Sequence, residues 1–158
     1  MATWIYQVNP KKFDINGCLA EAPERIAWSV RVPKYKQEMK PGDQVFIWRS
    51  KFDGKHGTPG IIGECLVDSL VTKMPADPFT KRFSRQPSPT ADIDRVWLRI
   101  AAIAEADSVL SDHEIAHHEL LRKVGPLGFK AKAIFKVSGD QSHALNSLWS
   151  LRRKRPKP

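Results

Sequence analysis

Residues 41–67, PGDQVFIWRSKFDGKHGTPGIIGECLV, constrain the fold of this chain more than any other stretch. Two apolar runs, VFIW and GIIGECLV, flank a polar connector over residues 49–59. Val, Ile, Phe and Trp suit a pleated surface. The connector holds Gly54, Gly57 and Pro59, which is turn chemistry. The pattern predicts a β-hairpin with a long polar loop, entered by a tight turn at Gly42-Asp43. Alternation places Val45 and Ile47 on one face, Phe46 and Trp48 on the other. Such a strand is buried on both sides, or lines a cavity on one. The function turns on which.

The other segments build outward from this hairpin. Residues 3–9 (TWIYQVN) alternate as a first strand, with Trp4, Tyr6 and Val8 on one face, stopped by Pro10. Asn16-Gly17 predicts a turn. Residues 24–32 form a second apolar segment centred on Trp28, and the basic stretch 33–40 lies on the surface. Residues 67–73 extend the hairpin's second strand. Residues 74–94 hold four prolines, Phe79 and Phe83, with little periodicity. A loop of that length in a small domain is functional or mobile. Residues 95–103 form a further strand. Ser111 and Glu114 make a capping box that starts a helix over 112–124. A short strand is expected near 133–136. Ser138 and Gln141 make a second capping box, before a helix with Ala144, Leu145, Leu148 and Trp149 on one stripe. Strands first and helices later read as an α+β domain with a curled antiparallel or mixed sheet, over residues 1–151, followed by a basic tail at 152–158.

The chain of 158 residues has a net charge of +9, and five of its positive charges lie in that tail. Such a surface attracts polyanions. No apolar run approaches the ~20 residues that span a bilayer, and the N-terminus lacks the pattern of a secretory signal. The expected location is therefore cytoplasmic, nucleoid-associated, or nuclear in a eukaryote, with no membrane partner. Cys18 and Cys65 match no zinc spacing and read as plain thiols.

His113-Glu114-Ile115-Ala116-His117 spells H-E-x-x-H, a pattern that can hold zinc on a helix face with the glutamate as general base. The context weighs against it. The capping box engages Glu114, and the first turn's positive dipole end disfavours a cation. The longer pattern fails at Leu120 and Lys123, which leaves His143 as the only histidine beyond that helix for a third ligand. No nucleophile elbow, P-loop or dinucleotide fingerprint is present.

The five tryptophans are the remaining signal. Trp149 and Trp97 read as core. Trp28 lies beside Ser29 and Arg31, and Trp48 beside Arg49 and Ser50. A flat aromatic wall with nearby hydrogen-bonding groups and a basic rim is what a nucleobase needs.

Taken in order, TWIYQVNP, then IAWSV, then KPGDQVFIW and PGIIGECLV resemble the EVE domain, a family of the PUA-like group that is similar to YTH domains. RVWLRI and LGFKAKAIFKVSGDQSHALNSLW continue the match, which covers about residues 3–151. The resemblance implies a PUA-like curled β-barrel flanked by helices. It also implies a non-catalytic reader of a modified base, such as 5-methylcytosine or N6-methyladenine, needing no cofactor. By the same resemblance the pocket aromatic falls on Trp28 and the polar residue closing the first strand on Asn9. The position after the central strand falls on Arg49 and Ser50. YTH domains take a further cage wall from a loop; here that loop is 74–94, with phenylalanines and no tryptophan.

The expected base-binding set is Asn9, Trp28, Ser29, Trp48, Ser50 and Phe79. The expected phosphate-binding rim is Arg31, Lys34, Lys36, Arg49 and Lys51. The expected partner is modified DNA or RNA, with a nuclease or restriction-type enzyme compatible beside it, and the chain is expected to be a monomer. Two alternatives stand: a PUA-like RNA-binding domain indifferent to modification, and, more remotely, a zinc hydrolase using His113, Glu114 and His117.

Overall fold

The computed structural model describes residues 1–51, 56–87, 91–105, 108–128 and 133–153. In chain order the elements are β1 (Thr3–Val8), α1 (Ile15–Ala20), β2 (Arg25–Ser29), α2 (Pro33–Glu38), β3 (Gln44–Arg49), β4 (Gly60–Val67), β5 (Thr72–Met74), α3 (Pro78–Lys81), β6 (Ile93–Ile103), β7 (Leu110–Ser111), α4 (Asp112–Ala116), α5 (Gly125–Gly128), β8 (Ile134–Val137) and α6 (Gly139–Arg153). The main sheet runs β2-β6-β4-β3-β1-β8, with β5 on β6 and β7 on β4. Every ladder is antiparallel except β1 with β3. A parallel pair needs a long crossover, and the α1-β2-α2 stretch supplies it. Register shifts at Ile47/Trp48 and Glu64/Cys65 bend the central strands. The result is the curled, mixed sheet expected of an α+β domain.

β3 and β4 pair as the predicted hairpin, and all six residues of β3 are buried. Val45 and Ile47 join Trp4, Tyr6, Val8, Ile26, Val96 and Leu98 in one core. Phe46 and Trp48 join Ile5, Leu110, Ile115, Leu145 and Trp149 in the other. The second core is covered by α6, whose expected stripe is present and whose Ser138–Gln141 capping box forms in both directions.

The Gly42-Asp43 turn does more than reverse the chain. Gly42 takes φ +91°, which favours glycine. The buried Asp43 carboxylate accepts from the Trp4 indole N–H and from the backbone N–H groups of Ala2 and Lys40, each at 3.0 Å. One side chain thus locks the start of β1 to the entry of β3. Across the sheet, Glu64 accepts from Gln44 Nε2 at 2.8 Å and from the Trp149 indole at 3.0 Å, while Gln44 and Asn146 exchange two bonds. These buried polar groups fix α6 in register.

Several expectations are corrected. Asn16-Gly17 is not a free turn. It lies inside α1, capped by Asp14, which accepts from Gly17 N–H at 3.0 Å. Residues 67–73 do not extend β4. That strand ends at Val67, and β5 starts afresh on β6. The helix expected over 112–124 stops after Ala116. Beyond it the hydrogen bonds shorten to i→i−3, and the His118 imidazole accepts from Leu120 N–H. Leu121 and Val124 still reach the core. The loop 74–94 contains α3. Trp97 is not a core residue. It is half-buried on the outer sheet face, with the Arg25 guanidinium 4.0 Å over its ring. The first two residues of the basic tail belong to α6, where Arg152 pairs with Glu114. The rest of the tail lies outside the described residues.

Two outcomes follow. Trp48→Ala opens a cavity in the second core and lowers stability by about 3–5 kcal/mol in denaturant unfolding. A loss under 1 kcal/mol would mean that the indole is not packed. Both cysteines are buried and free. Burial, helped by Asp14, Glu21 and Asp77, pushes the Cys18 thiol up to about 12, and burial also raises Cys65. The native protein is therefore inert to a thiol-titrating reagent at pH 8 and releases both thiols on denaturation. Rapid labelling of the native state contradicts this.

Candidate base-binding site

β2 is an edge strand, and its edge is where the site forms. Ala27 N–H points away from β6 and is taken by Thr80 Oγ1 at 3.2 Å. By the two-residue alternation, the N–H of Ser29 faces the same open side, while its C=O accepts from the Tyr6 hydroxyl at 3.4 Å. Trp28, between them, is half-buried, and its ring meets the first core. Tyr6 stacks on it from the interior, with centroids 5.4 Å apart and planes at 25°. The Tyr6 hydroxyl is buried, which pushes its pKa up.

Phe13 supplies a second ring beside Trp28, 5.6 Å away and tilted by 39°. Its position follows from the end of β1. Asn9 C=O accepts from Lys12 and Phe13 N–H, and Asn9 Oδ1 accepts from Lys11 N–H at 3.0 Å. This Asx turn after Val8 swings Phe13 back over the sheet. Residues 76–85 then border the site. Asp77 caps α3, accepting from Thr80 N–H at 3.0 Å and Thr80 O–H at 2.6 Å, and Pro78 fills the first helical position. Phe13 bridges to Ser84, and Arg85 donates to the carbonyls of Lys12 and Pro10.

The resulting open cavity is about 140 Å³. Trp28, Phe13 and Ile93 line it with Ser29, Asp77 and Thr80. Arg31 and Lys81 stand exposed at its wall, and neither forms an ion pair among the described residues, whereas Arg95 is buried there and donates to Met74 C=O at 2.5 Å. Aromatic surface, the outward Ser29 N–H and a positive rim are therefore in one place.

The structure divides the expected residues. Trp28, Ser29 and Arg31 meet at this cavity. Asn9 positions Phe13, and Ser50 O–H donates to Val8 C=O next to it at 3.1 Å; neither is among the cavity's lining residues. Phe79 packs on Phe83 and the first core and is not in the lining. Trp48 is in the opposite core, 2% exposed, and cannot wall the site. Arg49 is not a surface cation. Its guanidinium donates to Thr58 C=O at 3.1 and 2.6 Å and to Asn16 Oδ1 at 2.7 Å, and burial lowers its pKa. It walls a second, larger cavity of about 540 Å³ whose lining is mostly aliphatic and offers no Phe, Tyr or Trp face. Lys36 is bound to Asp94 at 2.5 Å, and Lys34 faces Glu38 at 3.8 Å. Lys51 is exposed. Sequence reasoning missed Phe13, Asp77 and Thr80. Asp77-Pro78 was a readable helix start; Phe13 carried no periodic signal.

The H-E-x-x-H residues are otherwise engaged. Ser111 Oγ accepts from Glu114 N–H at 3.1 Å, and the Glu114 carboxylate meets Arg152. His117 Nδ1 bonds the His113 carbonyl at 2.7 Å, and the two rings lie 4.2 Å apart. Among the described residues, no group of three or more His, Cys, Asp or Glu is placed to hold a metal.

The family model for the EVE domain matches residues 2–148. No curated protein matches the chain in sequence. A hypothetical protein from Leishmania major has a similar fold, with TM-score 0.67 at 19% identity over 98% of both chains. So does human THYN1, crystallised in complex with 5-methylcytosine-containing DNA, with TM-score 0.63 at 17% identity over 99% of this chain and 100% of that one. The Mmi1 YTH domain superposes with TM-score 0.56 at 13% identity, over 98% of this chain and 78% of the other. These likenesses bear out the PUA-like fold.

The α3 cap tests how the site is closed. Asp77→Ala removes a side-chain cap worth about 1 kcal/mol and loosens the segment that faces Trp28. Limited proteolysis within residues 76–86 should quicken several-fold while the thermal midpoint moves little. Unchanged cleavage contradicts this closure.

Proposed function

The chain belongs to the EVE domain family, and from that premise we propose that it is a non-catalytic module that binds nucleic acid and reads a modified base at Trp28. The observation that supports this best is the cavity itself. A tryptophan, backed by a buried tyrosine and flanked by Phe13, borders a small space open at a sheet edge. Stacking on an aromatic side chain contributes about 1–3 kcal/mol per base. It does not discriminate, because every base has a π-face.

Discrimination has to come from fit and polar pairing. A buried methyl group contributes only about 0.8 kcal/mol. The outward N–H and the hydroxyl of Ser29 and the Asp77–Thr80 pair are the groups that would read a base edge. An unmodified base that seats badly leaves some of them unpaired, which costs more than the missing methyl. A base within a duplex must also be flipped out, at a few kcal/mol. Single-stranded or mismatched sites are therefore the easier targets.

Trp28→Ala is the direct test. With the fold intact by circular dichroism, affinity for the best modified oligonucleotide should fall about 5- to 150-fold, the equivalent of 1–3 kcal/mol. The preference over the unmodified oligonucleotide should disappear. Unchanged binding would refute the assignment. Steeply salt-dependent wild-type binding without a preference between bases would favour the alternative of a charge-driven nucleic-acid binder.

A further inference from the structure

The outer face of β2 and β6 is built unlike the rest of the sheet. Arg25 sits directly opposite Arg99, Ala27 opposite Trp97, and Ser29 opposite Arg95. These are the non-hydrogen-bonded pairs of the ladder. Ala27 N–H leaves the sheet for Thr80, while the neighbouring positions bond across it, Val30 N–H to Asp94 C=O and Ile100 N–H to Glu24 C=O. In such pairs the Cα atoms approach to about 4.5 Å and the side chains are at their closest. Two like charges directly opposite each other destabilise a sheet.

Among the described residues, no carboxylate pairs with either arginine to offset that repulsion. Arg25 and Arg99 are exposed, and neither forms an ion pair among the described residues. Glu24 adjoins Arg25 in the chain, and Asp68 donates its N–H to Trp97 C=O; neither carboxylate pairs with either arginine. Arg25 is also held in place, 4.0 Å over the Trp97 ring. A guanidinium that is already pinned loses less freedom when it binds an anion. The platform adjoins the Trp28 cavity, since Ala27, Ser29 and Arg95 line that cavity. From Arg95 to Arg99 the strand covers about 13 Å.

We infer that the Arg25–Trp97–Arg99 face is a phosphate track, which holds the nucleic-acid backbone flanking the base seated at Trp28. This rests on reading the cavity as a base site. The charge of the whole chain, +9, favours a polyanion as the occupant. The rim expected from sequence is largely spent on internal bonds, with Lys36 on Asp94, Lys34 facing Glu38, and Arg49 buried.

The test is an Arg25→Gln/Arg99→Gln double variant of the full chain, titrated with paired modified and unmodified single-stranded oligonucleotides across a salt series. Affinity for both should fall by the same factor, about tenfold at near-physiological salt. The slope of log affinity against log salt should shrink by about 1.4, for two phosphates on a single strand. The preference for the modified base should persist, and the thermal midpoint should move little, because relief of the like-charge pair offsets the lost contact of Arg25 with the Trp97 ring. Trp28→Ala should do the reverse, losing preference and keeping the slope. An unchanged affinity and slope in the double variant, with wild type still binding, overturns the track and leaves the base reading standing. A wild-type protein that binds no oligonucleotide overturns both.

Discussion

The fold depends on one constraint: β3 is apolar on both faces and must be covered on both. A strand of alternating faces can be covered from one side by its own sheet's curl. The other side needs a separate layer. Here β1, β2 and β6 curl over Val45 and Ile47, and α6 with the segment around α4 covers Phe46 and Trp48. The parallel β1–β3 pair sits at the centre of this arrangement, and Asp43 ties its two strands together at their start. Two cores back to back leave little freedom elsewhere. The cavity proposed as the base site lies at the sheet's edge.

At that edge the chemistry changes character. β2 has one paired side and one open side, so backbone groups that a central strand would use internally become available. Residues 76–84 occupy part of that open side through Thr80 and leave the rest beside Trp28. Trp28 is therefore neither core nor surface. Its inner environment is fixed by Tyr6, and its outer environment is a small cavity. A rigid aromatic with one side committed is better preorganised for stacking than a free one, since less is lost on binding.

Much of this was legible from residues. The hairpin, the two-faced burial of its first strand, the Gly42-Asp43 turn and the Ser138–Gln141 helix start all follow from local rules. Trp28 and Ser29 were legible because an apolar run is interrupted there by a hydroxyl and a cation. What local rules could not supply was which tryptophan faces which layer. Trp48 and Trp97 look alike in sequence, each on a strand beside arginine. One is buried beneath α6, and the other lies on the outer sheet face beneath Arg25. Arg49 misled for the same reason. A cation after a strand reads as exposed, yet the fold folds residues 56–58 around it, with Thr58 C=O as its acceptor. Phe13 was invisible because only the Asn9 turn brings it to Trp28.

The central claim is that the Trp28 cavity discriminates a modified base from its parent. The most direct measurement is equilibrium binding of the wild-type chain to matched oligonucleotides that differ by a single base modification, at near-physiological salt. A preference of tenfold or more for one modification, about 1.4 kcal/mol, is the predicted result. Equal affinity for every member of the set, with binding that fades uniformly as salt rises, would contradict it.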